Sequence, residues 1–209
     1  MQLWLIRHGE TDWNVQRRFQ GSSEEPLNEN GQKQAKSLAP RLQNMHFDAI
    51  YASDLIRVRQ TAELALDSRS NQVQFDARLR EVDFGNWEGL QWEEIRTRYP
   101  DDFARWIADR NENPHGGDTL SDVVERVKNF LQDIRQQHNE DATILLFAHG
   151  GSLAILISLL LGTNPLRWWQ FHLQNCTLNH LYLYSETNVL SRFNDDHHLP
   201  PDSTNTETI

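Results

Sequence analysis

The chain has 209 residues, 38% hydrophobic and 24% charged, with a formal net charge of −10. These values suit one globular domain large enough to bury a substantial core. The acidic balance disfavours nucleic-acid binding, which needs a basic face, and no nucleic-acid partner is expected, but a small anionic ligand is still compatible because a few buried arginines set the local potential.

Residues 2–6 read as an apolar strand, followed by Arg7-His8-Gly9-Glu10. Beyond a loop, Asn28 is placed to cap a helix carrying Ala35, Leu38 and Leu42, which Pro40 should kink or divide. Residues 49–52 form a short strand, and Ser53 or Asp54 can cap the next helix, with Leu55, Val58, Ala62, Ala65 and Leu66 on one stripe. A strand at 73–75 leads to Leu79 and Glu81. Two short helical patterns rich in aromatic residues (Trp92, Tyr99, Phe103, Trp106) fill 91–113 before a Gly/Pro break. An amphipathic helix from Leu120 to Ile134 then delivers the chain to a second buried strand at 143–147, ending in His149-Gly150-Gly151. Residues 153–161, interrupted by Ser158, read as a core helix and 177–184 as a strand of weaker alternation. From Asn194 periodicity stops, so 194–209 is expected to be a flexible tail. The alternation of strands and helices predicts an α/β domain over 1–193, its mostly parallel sheet flanked by helices. A small helical cap is inserted at about 88–117.

Two strands thus end in a histidine followed by glycine, at the C-terminal edge where open α/β sheets place ligand crevices. The two imidazoles are expected at neighbouring strand ends. A guanidinium offers a planar fork of donors to phosphate, and neutral imidazole is a nucleophile near pH 7. Cleavage of a phosphate ester by histidine needs a neutral ring aimed at phosphorus, cations around the equatorial oxygens, a proton for the leaving alkoxide and a water. His8 is the candidate nucleophile, its second ring nitrogen held by a backbone carbonyl. Arg7 and Arg57 form the clamp, Arg57 gaining from the positive end of its helix. His149 is a further phosphoryl ligand, helped by the N–H of Gly150. The proton comes from the carboxylate loop 81–89, where Glu81, Asp83 and Glu88 compete.

Four separated motifs carry a resemblance. They are Arg-His-Gly-Glu-Thr-x-Trp-Asn from Arg7 to Asn14 (with Gln20-Gly21 and Pro26-Leu27), the segment from Tyr51 to Ala62, the loop from Glu81 to Gly89, and the strand ending at His149. In this order they resemble the histidine phosphatase superfamily, the phosphoglycerate-mutase-like enzymes, over about Leu3 to Tyr184. The resemblance implies a three-layer phosphoglycerate-mutase-like fold and a phosphohistidine on His8. It assigns phosphate binding to Arg7, Arg57 and His149, acid/base work to Glu81, and pocket positions to Asn14, Gln20 and Gly21. It implies no cofactor and no metal. The loop after Glu81 looks like the phosphatase branch, lacking the Arg-x-Tyr-Gly usual in mutases. The expected activity is hydrolysis of a small phosphorylated metabolite, with a mutase as runner-up, and a protein phosphatase or non-catalytic phospho-binding member behind it.

Two positions depart from the family pattern: Glu24 stands where Asp is common and Asn28 where Thr is. Asn caps a helix equally well, and Glu24 is expected to touch none of the chemistry. Arg59 reads as a solvated charge, and Trp87, Trp92 and Trp106 as cap packing. His197-His198 is too weak a pair to assign a metal. No run reaches the roughly 18 apolar residues of a membrane span, and Arg7 and Glu10 come too early for a secretory signal. Cys176, the only cysteine, permits no intrachain disulfide, reads as a buried small hydrophobe and points to the reducing cytoplasm. The oligomeric state is open, a homodimer included.

Overall fold

The computed structural model describes residues 1–114 and 116–201. The strands are β1 (Gln2–Arg7), β2 (Ala49–Ala52), β3 (Val73–Phe75), β4 (Thr143–Ala148), β5 (Leu178–Leu183) and β6 (Asn188–Asp195). They form one sheet in the order β3-β2-β4-β1-β5-β6, parallel from β3 to β1 and antiparallel at β5 and β6. The helices are α1 (Asp12–Val15), α2 (Glu29–Leu42), α3 (Ile56–Leu66), α4 (Trp92–Arg98), α5 (Pro100–Ala108), α6 (Leu120–Gln137) and α7 (Gly150–Leu161).

Strand alternation sorts the core into two layers. Leu3, Leu5, Ile144 and Leu146 face α6 and α7, while Ile6, Leu145 and Phe147 face α2 and α3. The two central strands are buried on both faces, as a covered parallel sheet requires. The segment 87–106 joins this core through rings: Trp87 and Trp106 are buried with centroids 5.4 Å apart, and Phe103 meets Trp92 at 4.8 Å. No helix among the described residues is long and apolar enough to cross a membrane.

Three expectations are corrected. Pro40 does not divide α2, which runs unbroken to Leu42; in the last turn a missing N–H removes only one ladder bond. Neither Ser53 nor Asp54 caps α3. Asp54 is drawn to Arg80 in a paired contact at 2.7 and 2.6 Å, and the helix instead starts at Ile56 with its N–H bonded to Glu24 Oε2 (2.8 Å). The tail is not loose from Asn194 on. β6 extends to Asp195, which pairs with Arg41 at 2.9 Å and Arg192 at 3.1 Å, and His198 Nε2 donates to the Cys176 carbonyl at 2.8 Å. Leu199 packs on the core beyond it. β6 escaped notice because an edge strand is half solvated and its pattern is mixed. The remainder of the expected tail, 202–209, and His115 within the expected cap lie outside the described residues.

Candidate active site

The site grows from the register of β1 on β4. Ile6 lies opposite Phe147 and Arg7 opposite Ala148, so the next residues, His8 and His149, leave the sheet side by side. The backbone N–H of His8 still bonds the Ala148 carbonyl at 3.0 Å. Gly9 then turns the chain against Gly31 of α2, where a side chain would strike backbone. The carbonyl expected to hold the His8 ring is that of Gly9, which accepts from Nδ1 at 2.7 Å. Nε2 is the ring nitrogen left for chemistry.

Arg7 is nearly buried and donates through Nη1 to the Leu173 carbonyl at 2.7 Å. Arg57, in the first turn of α3, is fully buried; Nη1 and Nη2 donate to the carbonyls of Ser23 and Gly21, each at 2.7 Å. Gly21 has φ +51°, a left-handed conformation that glycine adopts without strain, and it aims its carbonyl at this guanidinium. Arg57 Nε, Gln20 Oε1 and His149 Nδ1 are buried without a hydrogen-bond partner among the described residues. His149 Nε2 bonds Ser53 Oγ at 2.9 Å.

Burial pushes the His8 imidazole well below its ordinary value, and the charges of Arg57 and Arg7 push it further. Burial does the same to His149, followed by Arg57. Both rings are therefore neutral at pH 7. Burial lowers Arg57 to about 10, opposed by the charge of Glu81, so the clamp stays cationic.

Glu81 reaches the site from the loop after Leu79. Its Oε2 accepts the N–H of Gly151 at 2.9 Å and its Oε1 that of Ser152 at 3.2 Å, in the first turn of α7. Its rivals are engaged as braces: Glu88 bonds Ser22, Ser23 and Phe84, and Asp83 accepts from Gly85 N–H at 2.7 Å. Glu24, expected to be remote, sits at the start of Arg57's helix and its charge acts on that guanidinium.

Two adjoining cavities, of about 250 and 730 Å³, meet here. Arg7, His8, Asn14, Gln20, Gly21, Arg57 and Glu81 line the smaller, and Gly150 lines the larger with Arg7, Asn14 and Glu81. His149 lines neither; it is fully buried with its ring 5.3 Å from that of His8. Sequence reasoning missed several lining residues: Arg17, Arg18 and Phe19, three to five positions after Asn14, and Trp168. The dibasic pair was the available signal. It also missed Arg126 of α6, whose guanidinium donates to the carbonyls of Arg78, Arg80 and Glu81 at 2.7, 2.7 and 2.8 Å. On the polar side of an amphipathic helix such a residue reads as a solvated charge. Among the described residues no group of three or more His, Cys, Asp or Glu is placed to hold a metal. A neutral imidazole, two guanidinium groups and a carboxyl group around one cavity can bind and cleave a phosphate ester.

A family model described as histidine phosphatase superfamily (branch 1) matches residues 3–196. Phosphoserine phosphatase 1 of Hydrogenobacter thermophilus is 35% identical, over 95% of this chain and 94% of its own length. The protein named "Probable phosphoglycerate mutase GpmB" of Salmonella choleraesuis is 31% identical, over 87% of this chain and 84% of its own. Among solved structures, the alpha-ribazole phosphatase of Shigella flexneri superposes with a TM-score of 0.85 at 29% identity, covering 94% of this chain and 97% of that one. On the family match along nearly its whole length, on the fold and on these relatives, the chain belongs to the histidine phosphatase superfamily, branch 1, and is a phosphatase of that type.

Proposed function

We propose that the protein hydrolyses small phosphorylated metabolites through a phosphohistidine on His8, with Glu81 as the acid and base. One observation carries this reading. The Gly9 carbonyl holds His8 Nδ1, so Nε2 is left as the attacking atom, in a cavity that also contains two arginines and Glu81. In the first step Nε2 attacks phosphorus and the P–O ester bond breaks. The departing alkoxide takes the proton of the Glu81 carboxyl group. In the second, Glu81 as carboxylate takes a proton from water, which attacks the phosphohistidine, freeing phosphate and His8. Arg7 and Arg57 stabilise charge on the equatorial oxygens. If Ser53 donates to His149 Nε2, then Nδ1 carries the proton and can donate to the same oxygens. The buried thiol of Cys176 fits a cytoplasmic setting.

The test is rapid-quench trapping with a radiolabelled phosphate ester. An acid-labile, base-stable label on His8 is expected, absent from His8→Ala, which should also lose turnover. Turnover retained by His8→Ala overturns the assignment. The relative named as a mutase motivates the second reading, return of the phosphoryl group to a substrate instead of to water. Isomerisation of 3-phosphoglycerate outrunning phosphate release, in the presence of bisphosphoglycerate, would establish that reading in place of hydrolysis.

A further inference from the structure

We infer that the alcohol half of the substrate carries a planar aromatic group, seated in the larger cavity beside the phosphate site. This rests on the phosphatase reading and specifies its substrate class. The cavity, about 730 Å³, is walled by Trp13, Phe19, Trp92, Trp168, Trp169 and Phe171. That volume lies within the roughly 300–1,000 Å³ of sites that bury drug-sized ligands. Its floor is the reaction centre itself, since Arg7, Asn14 and Glu81 line both cavities. An alcohol leaving His8 therefore emerges among rings.

Phe19, Trp168 and Phe171 rest against the core and Trp92 on Phe103, but this packing leaves part of the ring surface uncovered. Trp169 is 46% and Trp92 39% exposed, whereas Trp87 and Trp106, which belong to the core, are buried. Aromatic surface left open in a concavity above reactive groups marks a binding site. The walls come from α1, the segment after it, the start of α4 and the turn Pro165–Gln170, and Arg110 braces them. Its guanidinium lies 3.7 Å from the Trp106 ring centroid, 5.7 Å from that of Trp92 and 5.8 Å from that of Trp169. Rings held in this way can stack on a planar guest or meet it edge to face.

The lining, with Arg17 and Arg18 in it, suits anionic groups better than an ammonium group. Glu81 is the only carboxylate among the lining residues, so the ammonium group of a phosphorylated amino acid would find no partner beyond the proton donor itself. Unpaired burial of a charge is costly.

The experiment compares 2-phenylethyl phosphate with ethyl phosphate and phosphoserine, all esters of alkyl alcohols. The phenylethyl ester is expected to show kcat/KM about tenfold or more above both others. Trp169 is exposed and outside the core, so Trp169→Ala should fold. It should bring the ratio towards one through a rise in KM for the phenylethyl ester, and Trp169→Phe should preserve the ratio. Equal or better use of ethyl phosphate or phosphoserine overturns the inference, as does a ratio unchanged in Trp169→Ala. Hydrolysis of none of the three, with no label on His8, would refute the phosphatase reading and this inference with it.

Discussion

The imidazoles of His8 and His149 stand 5.3 Å apart, centroid to centroid, with their planes at 61°. Parallel pairing of β1 with β4 produces this approach, and burial among Arg7 and Arg57 determines its chemistry. Each ring is driven to its neutral form because a further positive charge there would be desolvated and repelled. The phosphoryl group of a substrate is the natural counter-charge for such a site.

Stability should record this. In the folded chain both histidines bind protons only well below the ordinary value near 6.5, whereas the unfolded chain binds them at that value. The unfolded state then holds more protons as pH falls below about 6.5, so folding stability is full above it and declines on acidification. Thermal melting in phosphate-free buffer should be level above neutrality and fall between about pH 6.5 and 5. The partly buried His180 and His198 share this trend. His8→Asn should reduce the slope, and an unchanged slope would rule out the His8 imidazole as a source of it.

Gly151 is the second residue of α7, and a β-carbon there would meet the Glu81 carboxylate. Glu81 is the end of a flexible side chain, so it would swing aside while the helix stays. Gly151→Ala is therefore expected to change stability little, the usual helix gain of about 0.5–1 kcal/mol being offset by loss of the two hydrogen bonds from the Gly151 and Ser152 N–H groups to Glu81, while cutting kcat severely. Urea unfolding together with steady-state kinetics checks both halves; full activity in this variant would remove Glu81 from the acid role.

Arg126 is a positioning residue for that loop, tying three carbonyls from Arg78 to Glu81. Arg126→Met leaves them without this donor, at a cost of about 1–3 kcal/mol. A fall in kcat with little change in KM is expected, because Arg7 and Arg57, proposed to hold the phosphate, are untouched. Arg126→Lys should not restore kcat, since one ammonium cannot reproduce a planar fork spanning three acceptors. A KM effect alone would contradict the positioning role.

Arg57→Lys should lower kcat/KM by about 10²–10³, the range for loss of one charge-stabilising donor. Lysine keeps the charge but cannot hold Gly21 and Ser23 while presenting a further N–H. Inhibition by inorganic vanadate should weaken in parallel. Wild-type vanadate affinity would place Arg57 in a purely structural role.

Much of the site was legible in the chain because local chemistry and local geometry coincide in it. His8 and His149 each follow a buried strand and precede glycine, a device visible within ten residues. Arg57 stands in a first helical turn and Asn28 caps α2 through the Gly31 N–H at 2.8 Å, both readable from neighbours. What escaped was set by distant partners. Glu24 caps a helix 32 positions along the chain, and β6 looks like a polar loop until β5 supplies its hydrogen bonds.

The sequence by itself determined the α/β alternation, the two strand-end histidines and the set of charged groups available for phosphate. Strand endings, caps and periodicity are properties of short segments, and steric and hydrogen-bonding preferences act on them directly. Only the tertiary structure decided that the Gly9 carbonyl holds the His8 ring, that Arg126 secures the Glu81 loop, and that six aromatic rings from separate segments enclose one cavity. Those relations depend on which side chains are buried together, and burial is a property of the packed chain.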